Sequence, residues 1–419
     1  LTEAKIEKPF ARRVLLRTAR YFVASVLILA GALALILGVL WRSEAPVTFD
    51  TAAAAKLSFE PLKQIVPGPA VPEGVEVMSS NNNVDLVRYG SDFYMAFRTA
   101  PTHFASSQTR LVVVRSSDRK SWTLETSFGL EDSDLREPRF LVFQGKLFLY
   151  FFRGGSNPLG FEPHSIYVRE RTGEGAWTEP APVYAPGYVI WRAKVWGDTA
   201  YMSVYNGSGL YTTAERAGEI RLLISKNGRD WTPISEAPQC TVMGAEEGEF
   251  EFDRDGNLVA TVRLEVQGAL VCRASKDNLA EWKSHYTTQK YDSALMFRHN
   301  EDFYVVARRN VDGAFNREIV WLPPAMQRGW NLLRYSLTRK RTALYRVELT
   351  TNTLVALFDF PSKGDTAFPA LVPLDESSYY LVNYSCALNG PDWPWIGGQL
   401  AGTNLYETVL RFESKAPVR

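Results

Sequence analysis

Histidine and cysteine are scarce in this chain, with four histidines (His103, His164, His285, His299) and three cysteines (Cys240, Cys272, Cys386) in 419 residues. No histidine stands at ligand spacing to a cysteine, so neither a structural zinc site nor any other cofactor is expected. Three cysteines close at most one bridge, for which Cys240 and Cys272 are the candidate pair, and such a chain does not rest on disulfides for its fold. Charge of one sign is not in excess either. The formal net charge is +1, without the basic face that nucleic acid requires. Long apolar runs are missing as well, with one exception.

That exception is YFVASVLILAGALALILGVLW, Tyr21 to Trp41, which carries no charge. At about 1.5 Å per residue it spans the roughly 30 Å of a bilayer's hydrocarbon. Aromatic rings at its two ends suit the headgroup level. Lys5, Lys8, Arg12, Arg13, Arg17 and Arg20 precede it against only Glu3 and Glu7, which orients the N-terminus toward the cytoplasm. A cleaved signal peptide would have an apolar run about half as long. The expected organisation is a basic cytoplasmic tail (1–20), a transmembrane helix (21–41), an Ala/Pro-rich extracytoplasmic tether (42–70) and a folded domain (71–419). The bacterial cytoplasmic membrane is the expected location, with the domain periplasmic.

Within that domain a short signature recurs. SKNGRDW places Ser225, Asn227 and Trp231 at the same offsets as Ser116, Asp118 and Trp122 in SSDRKSW. SKDNLAEW repeats it with one extra residue (Ser275, Asp277, Trp282), and RTGEGAW keeps a tight turn and Trp177. The four tryptophans are 55, 54 and 51 residues apart, a period that marks a repeat architecture. Ahead of each box lie two apolar-alternating runs joined by a Gly/Asp/Asn turn, such as VDLVRYGSDFYMAFRTA and PRFLVFQGKLFLYFFRGG, and then a third run. This is the pattern of half-buried strands in a meander. Two further units, beginning at SALMFRHNEDFYVVARRN and AFPALVPLDESSYYLVNYS, lack the box but keep the paired strands. Six four-stranded units repeated about every fifty residues predict an all-β six-bladed propeller. The sixth unit ends after three strands, so its outer strand is expected from Val71 to Met78.

The boxes resemble the Asp-box of sialidases and related six-bladed propellers, over roughly residues 75 to 415. The resemblance implies that the tryptophans pack between blades and that the boxes lie on the rim opposite the active face. It also implies an arginine cluster for the substrate carboxylate and a tyrosine nucleophile with a glutamate partner. In the first blade, where sialidases have an arginine before an apolar-proline pair, this chain has NNNVDL. Arg136, Arg192 and Arg298 are the arginines available for such a cluster. Tyr384 and Tyr291 follow ordinary strand patterning and are expected to be packing residues.

Entries to the inner strands line the central pit of a propeller. They hold Asp85, then Arg136, Glu137 and Arg139 in DLREPR, then Arg192, then Glu246, Glu247 and Glu249 in GAEEGEFEF, then Asp292 and Asp365. One function that suits these charges is glycoside hydrolysis, which needs two positioned carboxyl groups; the other is a pit in which they only pair with one another. Two segments suit contacts: the insertion 311–341, with Trp321, Met326 and Trp330 beside a basic end, and NGPDWPWIGG, with Trp393 and Trp395. The favoured expectation is a non-catalytic accessory subunit of a larger membrane complex, for instance an energy-converting photosynthetic or respiratory assembly. A membrane-anchored, sialidase-like hydrolase of extracytoplasmic glycans is the alternative.

Overall fold

The computed structural model describes residues 8–41, 47–207, 210, 217–265, 267–311 and 322–413. Among its described residues the N-terminal unit is one helix, Lys8–Trp41, whose segment Leu16–Leu35 is long and apolar enough to cross a membrane. The second unit, Ala45–Arg419, is a six-bladed β-propeller.

Each blade is an antiparallel meander. The inner strands are Ser80–Tyr89, Ser133–Phe143, Tyr188–Trp196, Ala245–Phe252, Asp292–His299 and Thr366–Pro373, and each pairs with the strand that follows it. Alternating direction fixes what each rim carries. Loops between second and third strands return to the rim where the inner strands begin, whereas turns between third and fourth strands lie at the other rim.

Ring closure differs from the expected arrangement. The outer strand of the last blade is Leu57–Phe59, paired with Leu410–Phe412, and Lys63–Val66 pairs further along the same final strand. Residues 71–78 form no strand: Pro72 and Gly74 interrupt them, and a proline cannot donate to a ladder. Much of the expected tether is therefore part of the ring. Phe49 also bridges Ala356 of the fifth blade, and Asp50 N–H donates to the Ala356 carbonyl at 2.8 Å.

Apolar seams join neighbouring blades. Tyr94 and Val113 meet Phe140, Leu149 and Trp177 across the first seam, and Phe148, Tyr150 and Ile166 meet Met202, Leu223 and Trp231 across the next. Fully burying each such side chain is worth about 1.5–3 kcal/mol. Trp122, Trp177, Trp231 and Trp282 are all buried, and the Trp231 indole meets Tyr150 of the preceding blade edge-on at 5.7 Å.

The turns before these tryptophans are closed by side chains. Ser225 Oγ accepts from Gly228 N–H at 2.9 Å, and Asn227 Oδ1 accepts from the N–H groups of Arg229 and Asp230 at 2.9 Å each. Ser116 and Asp118 repeat this with Arg119, Lys120 and Ser121. The fourth turn position is left-handed in both, at Gly228 (φ 75°) and Arg119 (φ 64°); glycine adopts that conformation without the cost a Cβ brings. All three cysteines are buried free thiols, so the Cys240–Cys272 bridge is not formed. Burial raises both thiols, Cys272 to about 12.

Replacing Trp231 with Ala is expected to cost about 3–5 kcal/mol, as for other buried tryptophans. An unchanged midpoint in a denaturant titration would place the indole outside the core.

Candidate functional site

Every inner strand is interrupted near its start by a β-bulge. Register shifts fall between Asn82 and Asp85, Arg136 and Arg139, Ile190 and Arg192, Glu246 and Glu249, Asp292 and Leu295, and Ala367 and Ala370. Asn83, Glu137, Glu247, Ser293 and Phe368 sit in these bulges at φ 47°, 53°, 48°, 51° and 58°. A left-handed residue in a bulge re-aims its side chain out of the pleat, and these five all line one cavity of about 290 Å³. The cavity opens on the rim that carries the loops between second and third strands. Phe104 and Ala105, Pro158–Glu162, and Trp395, Ile396 and Gln399 supply its walls from three such loops. The short helix Trp395–Ala401 lies tight against the sixth blade; a Cβ on Gly398 would meet Asp365 N at 2.2 Å, so only glycine fits there.

The sequence-selected charges divide into two levels. Arg136, Glu137 and Glu247 line the cavity. Asp85, Arg139 and Glu249 stand two residues after the bulged positions and form a buried tier outside its lining. There Arg192 Nε donates to Glu249 at 2.7 Å and faces Asp85 at 3.4 Å, and Phe140 N–H donates to Asp85 at 2.7 Å. Arg139 lies behind Phe368, its guanidinium 4.1 Å from that ring centroid and 4.9 Å from Trp191. Glu246 and Asp292 flank Arg263 at 3.0 and 3.4 Å. Asp365 accepts from His103 at 2.5 Å and from Trp395 Nε1 at 3.0 Å.

Other cavity residues escaped the sequence reading: Asn83, His103, Asp134, Arg263 and Arg308. Tyr384, expected to be mere packing, also lines the cavity; its hydroxyl donates to Asp365 at 3.1 Å and accepts from Arg308 at 3.4 Å. Tyr291 does pack, edge-on against Tyr345. Arg298 sits toward the far end of its strand, opposite Phe303, and does not line the cavity. Trp395 is a wall of the cavity. Trp393 is exposed, Trp330 half-buried, and Trp321 lies outside the described residues.

Two lining carboxyl groups differ in their surroundings. Glu247 is held by Arg263 NH1 at 2.7 Å and by Ser293 N–H at 2.6 Å. Glu137 has a weaker set, with Asn83 Nδ2 donating at 3.3 Å and Arg139 at 3.7 Å. Burial pushes Glu137 up to about 7, against the pull of Arg139 and reinforced by the charge of Glu247. A carboxyl group that keeps its proton near neutrality beside a second, ion-paired carboxylate can act as a general acid. Burial lowers His103, against the opposing pull of Asp365.

No protein-family model matches this chain, and no curated protein matches it. Solved structures do. A protein of unknown function from Dyadobacter fermentans superposes with a TM-score of 0.57 at 16% identity, over 85% of this chain and 99% of that one. Trypanosoma rangeli sialidase in complex with sialic acid superposes at 0.53 and 12% identity, over 88% of this chain and 60% of that one. A mutant of the same sialidase displaying trans-sialidase activity gives 0.55 at 13% identity, over 84% and 58%. This chain thus spans about 60% of the sialidase chains, and at such identities the likeness establishes a shared propeller fold.

Glu137 also carries a pH signature. Its folded pKa, about 7, lies above its ordinary 4.5. It therefore contributes stability that is fully present below about 4.5 and lost as the pH rises through 7, about 3 kcal/mol over that span. The wild type is expected to lose more stability between pH 5 and pH 8 than Glu137→Gln in urea titrations. Equal losses would show that Glu137 does not titrate in this window.

Proposed function

We propose that this protein is a membrane-anchored glycoside hydrolase whose propeller pit acts on extracytoplasmic glycans, with Glu137 as general acid and Glu247 as the partner carboxylate. One observation carries the proposal: a protonatable Glu137 and an ion-paired Glu247 share one cavity walled by Phe152, Phe161, Phe368 and Trp395. Paired carboxyl groups in unlike environments are what glycosidic cleavage requires, and flat apolar side chains suit the C–H faces of a sugar ring. The tyrosine–glutamate pairing implied by the sialidase resemblance is not met, because the carboxylate at the Tyr384 hydroxyl is Asp365. Burial also raises Tyr384 well above the ordinary phenol range, reinforced by Asp365 and opposed by Arg308. The proposed chemistry therefore runs through the carboxyl pair.

Glu137→Gln is expected to lower kcat/KM on an aryl glycoside by about 10²- to 10⁴-fold, and wild-type turnover to fall as the pH passes 7. Undiminished turnover in the variant would remove Glu137 from the acid role.

The accessory-subunit reading has an observation of its own. In the helix Pro324–Leu337 the polar side is buried (Arg328, Asn331, Arg334, Tyr335), while Met326, Leu333 and Leu337 are exposed. A strip of that kind favours contact with another membrane protein. If it does so, Met326→Glu with Leu333→Glu should abolish co-purification of a stoichiometric partner from membranes solubilised in mild detergent; retained co-purification would exclude the strip as the contact.

A further inference from the structure

The chemistry of the pit constrains the ligand further, granted the glycan reading above. We infer that the pit takes an uncharged, polyhydroxylated sugar residue and rejects sugars that carry a carboxylate.

The arginines that line the cavity are already committed to protein carboxylates. Arg136 is ion-paired to Asp134 and donates to the His103 carbonyl at 2.7 Å. Arg263 faces Glu246, Glu247 and Asp292 at 3.0, 2.7 and 3.4 Å. Arg308 faces Asp365 at 3.5 Å and donates to the Tyr335 hydroxyl at 2.9 Å and the Thr366 carbonyl at 3.1 Å. A ligand carboxylate entering here would compete with these internal acceptors while being stripped of water, and such an exchange is unfavourable for a buried charge. Of the four lining carboxyl groups, Asp134, Glu137, Glu162 and Glu247, Glu137 keeps its proton near neutrality, so the other three balance the three lining arginines and no excess of positive charge invites an anion. Arg139, whose terminal nitrogens lack hydrogen-bond acceptors among the described residues, does not line the cavity; its guanidinium lies over the Phe368 ring and faces Glu137 at 3.7 Å.

One acceptor, by contrast, is left open. Asn83 Oδ1 is buried at the cavity lining and has no hydrogen-bond donor among the described residues. Buried acceptors without donors are costly. A carboxylate group set against Asn83 Oδ1 brings only further acceptors, whereas a hydroxyl brings the O–H it requires. The cavity volume, about 290 Å³, lies at the lower end of small-ligand sites, which run from roughly 300 Å³ upward, and so suits one sugar residue. Asn83 is thereby a specificity-determining residue.

The test uses the full chain in detergent micelles, fluorescently labelled, on an array of defined oligosaccharides. Some end in neutral hexoses or N-acetylhexosamines, others in N-acetylneuraminic or glucuronic acid. Binding to neutral termini is expected, with affinity lowered about tenfold or more in Asn83→Gly, a variant that removes the carboxamide while tolerating φ 47°. Acidic termini bound as well as or better than neutral ones would overturn the inference and leave the glycan reading standing. Neutral binding unaffected by Asn83→Gly would place the sugar outside the pit and overturn it too. Silence across the whole array would overturn the glycan reading itself, and this inference with it.

Discussion

An inner strand of regular pleat would send alternate side chains into the two faces of its blade and none toward the propeller axis. The bulge near the start of each inner strand breaks that alternation, and the pit depends on it. Holding Asn83, Glu137, Glu247 and Ser293 in left-handed backbone costs of order 1–3 kcal/mol at each position. Only a surrounding structure that over-determines the strand sustains this, and the flanking ladders and interblade seams do so. Rigidity and orientation are thus linked at these residues, because strain that aims a side chain at the axis also fixes it there.

Beneath the bulged residues lies a tier of ions with almost no water contact. Arg192 and Lys194 converge on Glu249; burial would raise that carboxyl, but the two cations outweigh it and hold Glu249 below the usual range. Such a tier adds little net stability, because desolvation offsets most of the attraction. What it supplies is orientation, since breaking any one pair leaves an uncompensated buried charge.

The ring was legible in the sequence because it rests on repetition. Apolar alternation and evenly spaced tryptophans survive in four units, and the paired strands alone were enough to count the other two. Closure was not legible: Leu57–Phe59 is three residues long in an Ala-rich stretch, too short to show a period. The site was legible to within two residues. Asp85, Glu137, Arg139, Glu247 and Glu249 were all among the charged candidates; the bulge selects Glu137 and Glu247 from them and adds Asn83, and no local pattern announces a bulge whose special position is not glycine. Arg263, Arg308 and Tyr384 come from second strands, where sequence shows only ordinary alternation; their role emerges once the ring brings six strand pairs to one axis. The insertion's helix reverses the usual rule, burying arginines and exposing Met326, because its inner side faces a polar rim instead of a core.

The closing strand bears on how this protein could be processed. Since Leu57–Phe59 completes the last blade and Phe49 bridges the fifth, no protease can free an intact propeller by cutting after those residues. A cut between Phe59 and Lys63 would leave the Leu57–Phe59 strand on the N-terminal fragment and an open, unpaired edge on the released ring, the kind of edge that recruits other strands. Only a cut before Phe49 keeps both the Phe49 bridge and every blade strand on the released ring.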